Sequence, residues 1–244
     1  MFSRSQLPRP VLDEDGVGEY ELKYWIPAAQ SPAVGQWMTQ TLRPHPAHPR
    51  GTICSIYFDT DDLRALEEKE ASFYGKTKYR IRWYADAAGR PLDGPAWLER
   101  KEKVGSRRRK QRHRLAVPVD VLAAWPLESP QWRSLLQEHV PAGDPLAGSL
   151  RPVLELRYHR SRYVHPVTGD GFCLDSQIRC VRTHTAFFPA AGHRDLRFSV
   201  LEQKGASPDP LPILRPLPRF GARRAALSKY HLVALATLDL PDLA

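Results

Sequence analysis

An α+β fold built round a closed, eight-stranded antiparallel β-barrel with flanking helices is what this 244-residue sequence predicts. Three observations point to it. About eight short segments have strand character and are mostly joined by short connections, as in sandwiches and barrels rather than doubly wound sheets. Several of these segments alternate charged residues with apolar or aromatic ones, so one face of each strand is polar and the other is not. The formal net charge of +9 and the pI near 9.6 require that the polar faces be rich in cations.

The segments follow in order. Residues 1–16 are polar and broken by Pro8 and Pro10, and are expected to form a flexible arm ahead of a single domain over 17–244. EYELKYWI (19–26) is the first strand, with Glu19, Glu21 and Lys23 on one face. SPAVGQWMTQTL (31–42) suits a helix, Ser31 serving as N-cap and Pro32 at the first position. TICSIYFD (52–59) is β-branched and aromatic, hence a strand; a helical turn begins at Thr60 or Asp61 after it. KTKYRIRWY (76–84) puts Lys78, Arg80 and Arg82 on one face and Tyr79, Ile81 and Trp83 on the other. AWLERKEK (96–103) and SRRRKQRHRLAV (106–117) make the next hairpin. Between 119 and 140 the spacing of Val121, Leu122, Trp125, Trp132, Leu135 and Leu136 predicts helix, interrupted near Pro126 and Pro130. Residues 152–164, 171–181 and 195–204 supply three more strands, and a proline-rich stretch leads to a closing helix over 228–238.

The charge pattern carries the chemistry. Like charges two residues apart on a strand face sit ~6.6 Å apart and repel by roughly 2.5 kcal/mol at an effective dielectric of about 20. One such strand is ordinarily a solvated face. Here the alternation recurs, as Glu99, Lys101, Lys103; as Arg108, Lys110, Arg112, Arg114; as Glu21, Lys23; and as Glu202, Lys204. Strands of this kind can close with the polar face inward, and an interior so rich in cations is costly to desolvate unless an anion pairs with them. An eight-stranded barrel has room for one slender ligand, which a polyphosphate or a nucleotide triphosphate tail is and a nucleic-acid duplex is not. The carboxylates Glu21, Glu99 and Glu202 offer hard oxygens of the type that hold Mg²⁺ or Mn²⁺ alongside phosphate. Charge balance with the neighbouring lysines and arginines explains them equally well.

Lysine usage supports the same surface. The chain has nine lysines against 27 arginines, and eight of the nine, including Lys76, Lys78 and Lys229, lie in these segments. Three cysteines in no metal or disulfide spacing, no signal segment and no long apolar run predict a cytoplasmic protein without a membrane span. No Walker A, HExxH or EF-hand pattern is present. His45, His48 and His113 read as solvated residues, and Asp59, Asp61 and Asp62 as helix-capping residues.

The motifs EYELKY, SIYFDTDDL, KYRIRWY, WLERKEKVG, LDSQIR, VLEQKG and LSKY, in this order across nearly the whole chain, resemble the VTC domain, the polyphosphate polymerase domain of the vacuolar transporter chaperone complex. That family belongs to the CYTH-like triphosphate tunnel metalloenzymes. The resemblance implies a tunnel of eight antiparallel strands in which a divalent metal and basic residues grip a triphosphate. By motif match the catalytic cations are Lys23, Arg80, Arg82, Lys110 and Arg160, with Lys101, Lys103, Arg112, Lys204 and Lys229 binding phosphate. Glu202 is the leading metal ligand, with Glu21 and Glu99 beside it, and the cofactor is Mn²⁺ or Mg²⁺. The partners implied are ATP and a phosphate chain, with no stable nucleic-acid partner and room for association with a membrane protein. Gly171 and Ala226 depart from the family pattern, standing where related sequences tend to carry an arginine and a second lysine. Three readings stay open: polyphosphate synthesis from ATP, hydrolysis of inorganic or nucleoside triphosphate, and non-catalytic binding of polyphosphate or RNA.

Overall fold

The computed structural model describes residues 20–70, 75–104, 107–188 and 195–237. Ten strands form one antiparallel sheet: β1 (Tyr20–Pro27), β2 (Arg43–Pro44), β3 (Arg50–Asp59), β4 (Gly75–Ala85), β5 (Trp97–Val104), β6 (Arg107–Arg114), β7 (Arg151–Val164), β8 (Gly171–Thr183), β9 (Phe198–Gly205) and β10 (Arg223–Arg224). Helices α1 (Ser31–Thr41), α2 (Arg64–Glu70), α3 (Val119–Ala124), α4 (Gln131–His139) and α5 (Lys229–Thr237) flank it. All eight expected strands are present, and β2 and β10, two residues each, are additional. The arm expected over 1–16 and Glu19 lie outside the described residues.

The strand order is β10-β1-β9-β8-β7-β3-β4-β5-β6, with β2 paired to β7. Hydrogen bonds do not close this sheet among the described residues, which corrects the closed barrel. The reason is local: β10 adds only Arg223 and Arg224 against Trp25 and Tyr24, and no ladder joins that edge to β6. The sheet is nevertheless strongly curled. Arg82 of β4 donates across β3 to the Tyr158 hydroxyl of β7 at 2.8 Å, and the charges of Lys101 on β5 and Glu21 on β1 act on one another although five strands lie between theirs.

The alternation decides which face goes where. The outer face of β3, β4 and β5 presents Cys54, Ile56, Phe58, Tyr79, Ile81, Trp83 and Leu98 to a core closed by Leu122, Trp132, Leu135 and Leu136 of α3 and α4. The outer face of β1, β7, β8 and β9 packs Leu22, Tyr24, Ile26, Phe172, Leu174 and Leu201 under Val34 and Met38 of α1. A third cluster fills part of the inner face, where Tyr57, Leu154, Leu156, Tyr158, Ile178 and Val200 meet Tyr230, Val233 and Ala234 of α5. The rest of the inner face is left to the charged residues.

Two local expectations change. Ser31 does not cap α1, because its hydroxyl pairs instead with the Ser199 hydroxyl on β9; the helix follows Gln30. His45 is buried rather than solvated, since its ring stacks on His48 at 6.1 Å and its Nδ1 accepts the His48 N–H. The capping role of Asp59 is present: its carboxylate accepts the N–H groups of Thr60, Ala65 and Leu66, and Thr60 Oγ1 accepts that of Arg64. Asp59 also accepts the Tyr230 hydroxyl at 2.7 Å, tying α2 to α5. Burial, then the Asp59 charge, pushes this phenol above its ordinary range. Tyr230→Phe is therefore expected to cost about 1–2 kcal/mol in urea unfolding with an unchanged m-value.

Candidate functional site

Side chains at alternate positions of eight strands and of the α5 N-terminus converge on the inner face. Register sets the neighbours: Lys23 lies opposite Glu202 and Glu21 opposite Lys204 on the β1–β9 ladder, Arg160 opposite Asp175 on β7–β8, and Arg80 opposite Glu99 on β4–β5. Arg160 is inward because Leu154, Leu156, Tyr158 and Arg160 share one face of β7, with Glu155 and Arg157 on the other.

Two carboxylate centres organise the cations. On one side, Glu202 accepts Lys229 Nζ at 2.8 Å and Arg160 Nη2 at 3.3 Å, with Lys23 Nζ at 3.8 Å. Asp175, fully buried, takes both arms of Arg160, at 2.5 and 2.7 Å, and Lys229 at 2.6 Å. Glu21 pairs with Lys23 at 3.3 Å. On the other side, Glu99 accepts Arg80 Nε at 2.7 Å and faces Lys110 at 3.4 Å and Arg82 at 3.9 Å. Arg80 also donates to the Tyr57 hydroxyl at 3.0 Å, and Arg82 to Ser55 at 3.4 Å.

The electrostatics follow from burial opposed by cations. Burial alone would raise the Glu202 carboxyl, yet Lys229, Lys23 and Arg160 hold it well below its usual range; Arg80, Arg82 and Lys110 do the same for Glu99. Lys229 is raised against its own burial by Asp175 and Glu202. Lys101 goes the other way. Burial first, and then the Arg80 charge, pushes its amine well below the ordinary lysine range, against the pull of Glu21 and Glu99. For Glu21, burial is again outweighed by Lys23, and its carboxyl falls from 4.5 to about 2. A depressed carboxyl stabilises the fold fully above pH 4.5 and loses that contribution as pH falls towards about 2. The stability gap between the native chain and Glu21→Gln is therefore expected to be largest above pH 4.5 and to vanish near pH 2, read by urea unfolding across that window.

The sequence-predicted residues fall into three groups. Lys23, Arg80, Arg82, Lys110, Arg160, Lys101, Lys229, Glu21, Glu99 and Glu202 meet on the inner face. Lys204 is beside them, its charge acting on Glu21 and Glu202. Lys103 and Arg112 are exposed, and the guanidinium of Arg112 lies 3.9 Å over the Trp97 ring. Asp175, Tyr57, Tyr158 and Ser55 were missed. For Asp175 the signal was the pairing of LDS with YHR, which only strand register supplies; the tyrosines and Ser55 carry no charge and so stand outside the charge pattern. Gly171 leaves open space where a Cβ would stand, and Arg223 and Arg224 are exposed on β10.

Metal fit turns on the donor set. Among the described residues no group of three or more His, Cys, Asp or Glu is placed to hold an ion. Mg²⁺ is commonly held by one or two carboxylates plus substrate phosphates, and Glu21 and Glu202, on paired strands and close enough to repel each other, fit that manner. Glu99 does not join them, since it belongs to the Arg80 centre on another part of the sheet. No helix is long and apolar enough to cross a membrane among the described residues.

Comparison with known proteins agrees with this architecture. A structure from Bacillus halodurans described as a putative adenylate cyclase superposes with a TM-score of 0.50 at 14% identity, covering 86% of this chain and 95% of that one. A Hippeastrum protein, described as an adenylyl cyclase homologue with a dominant triphosphatase activity, gives 0.47 at 15% identity, covering 90% and 97%. The PH1819 protein from Pyrococcus horikoshii gives 0.46 at 13% identity, covering 88% and 98%. No curated protein matches the sequence. The VTC domain family matches residues 18–236, nearly the whole chain, and the chain belongs to that family.

Proposed function

We propose that this protein is a polyphosphate polymerase that transfers the γ-phosphoryl group of ATP to the end of a phosphate chain held on the inner face of the curled sheet. One observation carries the reading: eight basic residues, Lys23, Arg80, Arg82, Lys101, Lys110, Arg160, Lys204 and Lys229, share this face with four carboxylates, Glu21, Glu99, Asp175 and Glu202. A surplus of that size in a largely buried site is costly, and a multiply charged anion relieves it.

Phosphoryl transfer demands positioning and charge neutralisation more than covalent chemistry from the protein. In the step, the bond from γ-phosphorus to the β-bridging oxygen breaks and one forms to the terminal oxygen of the acceptor chain; ADP leaves and the chain grows by one phosphate. Arg80 and Arg82, anchored by Glu99, Tyr57 and Ser55, present planar forks to the phosphate oxygens in transit. Lys110 flanks them at Glu99, Lys23 and Arg160 oppose them, and Lys101 and Lys229 neutralise the neighbouring phosphates. Glu202 and Glu21 would hold the divalent ion, Mn²⁺ or Mg²⁺, which supplies further charge neutralisation when bound. Three buried free cysteines suit a reducing, cytoplasmic setting.

The test is to incubate the purified protein with γ-labelled ATP and Mn²⁺ or Mg²⁺, with and without a short polyphosphate primer, and to resolve the products on a gel. A labelled ladder is the expected result. Orthophosphate without polymer would replace the reading with a triphosphatase using water as acceptor, and binding without turnover would replace it with a phosphate-chain sensor.

A further inference from the structure

At the rim where β4 and β6 end and β5 begins, the inner face changes character. Four of the charged strands carry, two residues beyond a cation or carboxylate of the inner face, a member of an aromatic–arginine ribbon: Tyr84 beyond Arg82, Trp97 beyond Glu99, Arg112 beyond Lys110 and Arg162 beyond Arg160. Two residues on a strand span ~6.7 Å on the same face, so the ribbon lies one such step outside the phosphate-binding centre. Arg112 stacks 3.9 Å above Trp97, and Arg162 lies 5.6 Å from the Tyr84 ring centroid while donating to its hydroxyl at 3.3 Å.

A glycine makes the ribbon continuous. β3 lies between β4 and β7; Gly51, two residues before the Ile53 that pairs with Tyr84, is where an added Cβ would come within 3.6 Å of Tyr84 and 3.9 Å of Arg162. With no side chain there, Tyr84 and Arg162 meet over the intervening strand. Tyr84 keeps 40% of its surface exposed, and Trp97 is half-buried. In the opposite direction along the same strands stand lysines, Lys78 before Arg80 and Lys101 after Glu99. The face is therefore polar along its length, with π-surfaces at one rim and ammonium groups towards the other.

We infer that the Tyr84–Trp97 rim, with Arg112 and Arg162, is a stacking subsite for the planar base of a nucleoside triphosphate, and that it orients the nucleotide with its base at this rim and its phosphates running towards Lys78 and Lys101. Stacking on aromatic and guanidinium planes recognises any base by its π-face, so the subsite distinguishes nucleotides from bare phosphate chains without selecting among bases. The inference rests on the proposed phosphate-binding function of the inner face.

The test compares two probes by calorimetry, a non-hydrolysable ATP analogue and inorganic tripolyphosphate, on the native chain, Tyr84→Ala/Trp97→Ala and Tyr84→Phe/Trp97→Phe. The expected result is that the alanine pair weakens the analogue about 10-fold or more, leaves tripolyphosphate within about 2-fold, and is rescued by the phenylalanine pair. Equal loss for both probes would mean that the rings only support the fold, and overturns the subsite. Equal native affinity for the two probes also overturns it. If tripolyphosphate itself does not bind, the phosphate reading falls and the subsite falls with it. Tighter binding of a short RNA strand lacking a 5′-triphosphate, lost in the alanine pair, would reassign the rim to RNA.

Discussion

Replacing Arg80 and Arg82 together by alanine is expected to lower phosphoryl-transfer turnover by at least about 10³-fold, because under the proposed mechanism each removes a preorganised donor from the transferring group and one such donor is typically worth about 10²–10³. The substitution also acts on the fold. Glu99 is 2% exposed and held by Arg80, Arg82 and Lys110, so the double variant leaves a buried carboxylate with Lys110 as its close ion-pair partner. Adding Glu99→Gln removes that charge. The triple variant is expected to regain much of the lost stability in urea unfolding while remaining inactive, which separates the two effects. Turnover that survives in a well-folded double variant would place the chemistry elsewhere. Lysine at both positions keeps the charge and loses the planar fork, and is expected to give intermediate activity.

Asp175→Asn is expected to destabilise the protein by about 3–5 kcal/mol, the usual cost of breaking a buried ion cluster by removing one partner. Asp175 is fully buried and binds both Arg160 and Lys229 within 2.7 Å. Without its charge these two cations are left to share Glu202, which also faces Lys23. Equilibrium unfolding measures the loss directly. Saturating tripolyphosphate is expected to restore part of it, since an anion that binds only the folded state stabilises by RT ln(1 + [L]/Kd). A change below about 1 kcal/mol, with no response to tripolyphosphate, would show that Asp175 does not anchor this centre.

Much of this was legible along the chain. In KTKYRIRWY the split between Lys78, Arg80, Arg82 and Tyr79, Ile81, Trp83 is a period-2 signal, and the structure puts the first set on the inner face and the second in the outer core. The Pro126–Pro130 interruption separates α3 from α4 as expected. The failures were non-local. Ser31 has the right residue type for a cap, but a hydroxyl partner on β9 outweighs the local bond. Asp175 takes no part in an alternating charge pattern along LDSQIR, and becomes the anchor of Arg160 only through the β7–β8 register.

By itself the sequence determined the strands, which of their faces is polar, the excess of cations and the family, because these depend on spacing and composition that local backbone geometry translates directly. Tertiary structure decided how that face is used. Among the described residues it left β6 and β10 unjoined by hydrogen bonds, divided the carboxylates between an Arg80–Glu99 centre and a Glu202–Asp175–Lys229 centre, and brought Lys229 from the last helix into the second. The physical reason is that curvature and register set distances between residues far apart in the chain, and both the Coulomb energy and the burial that make a charge a site depend on those distances.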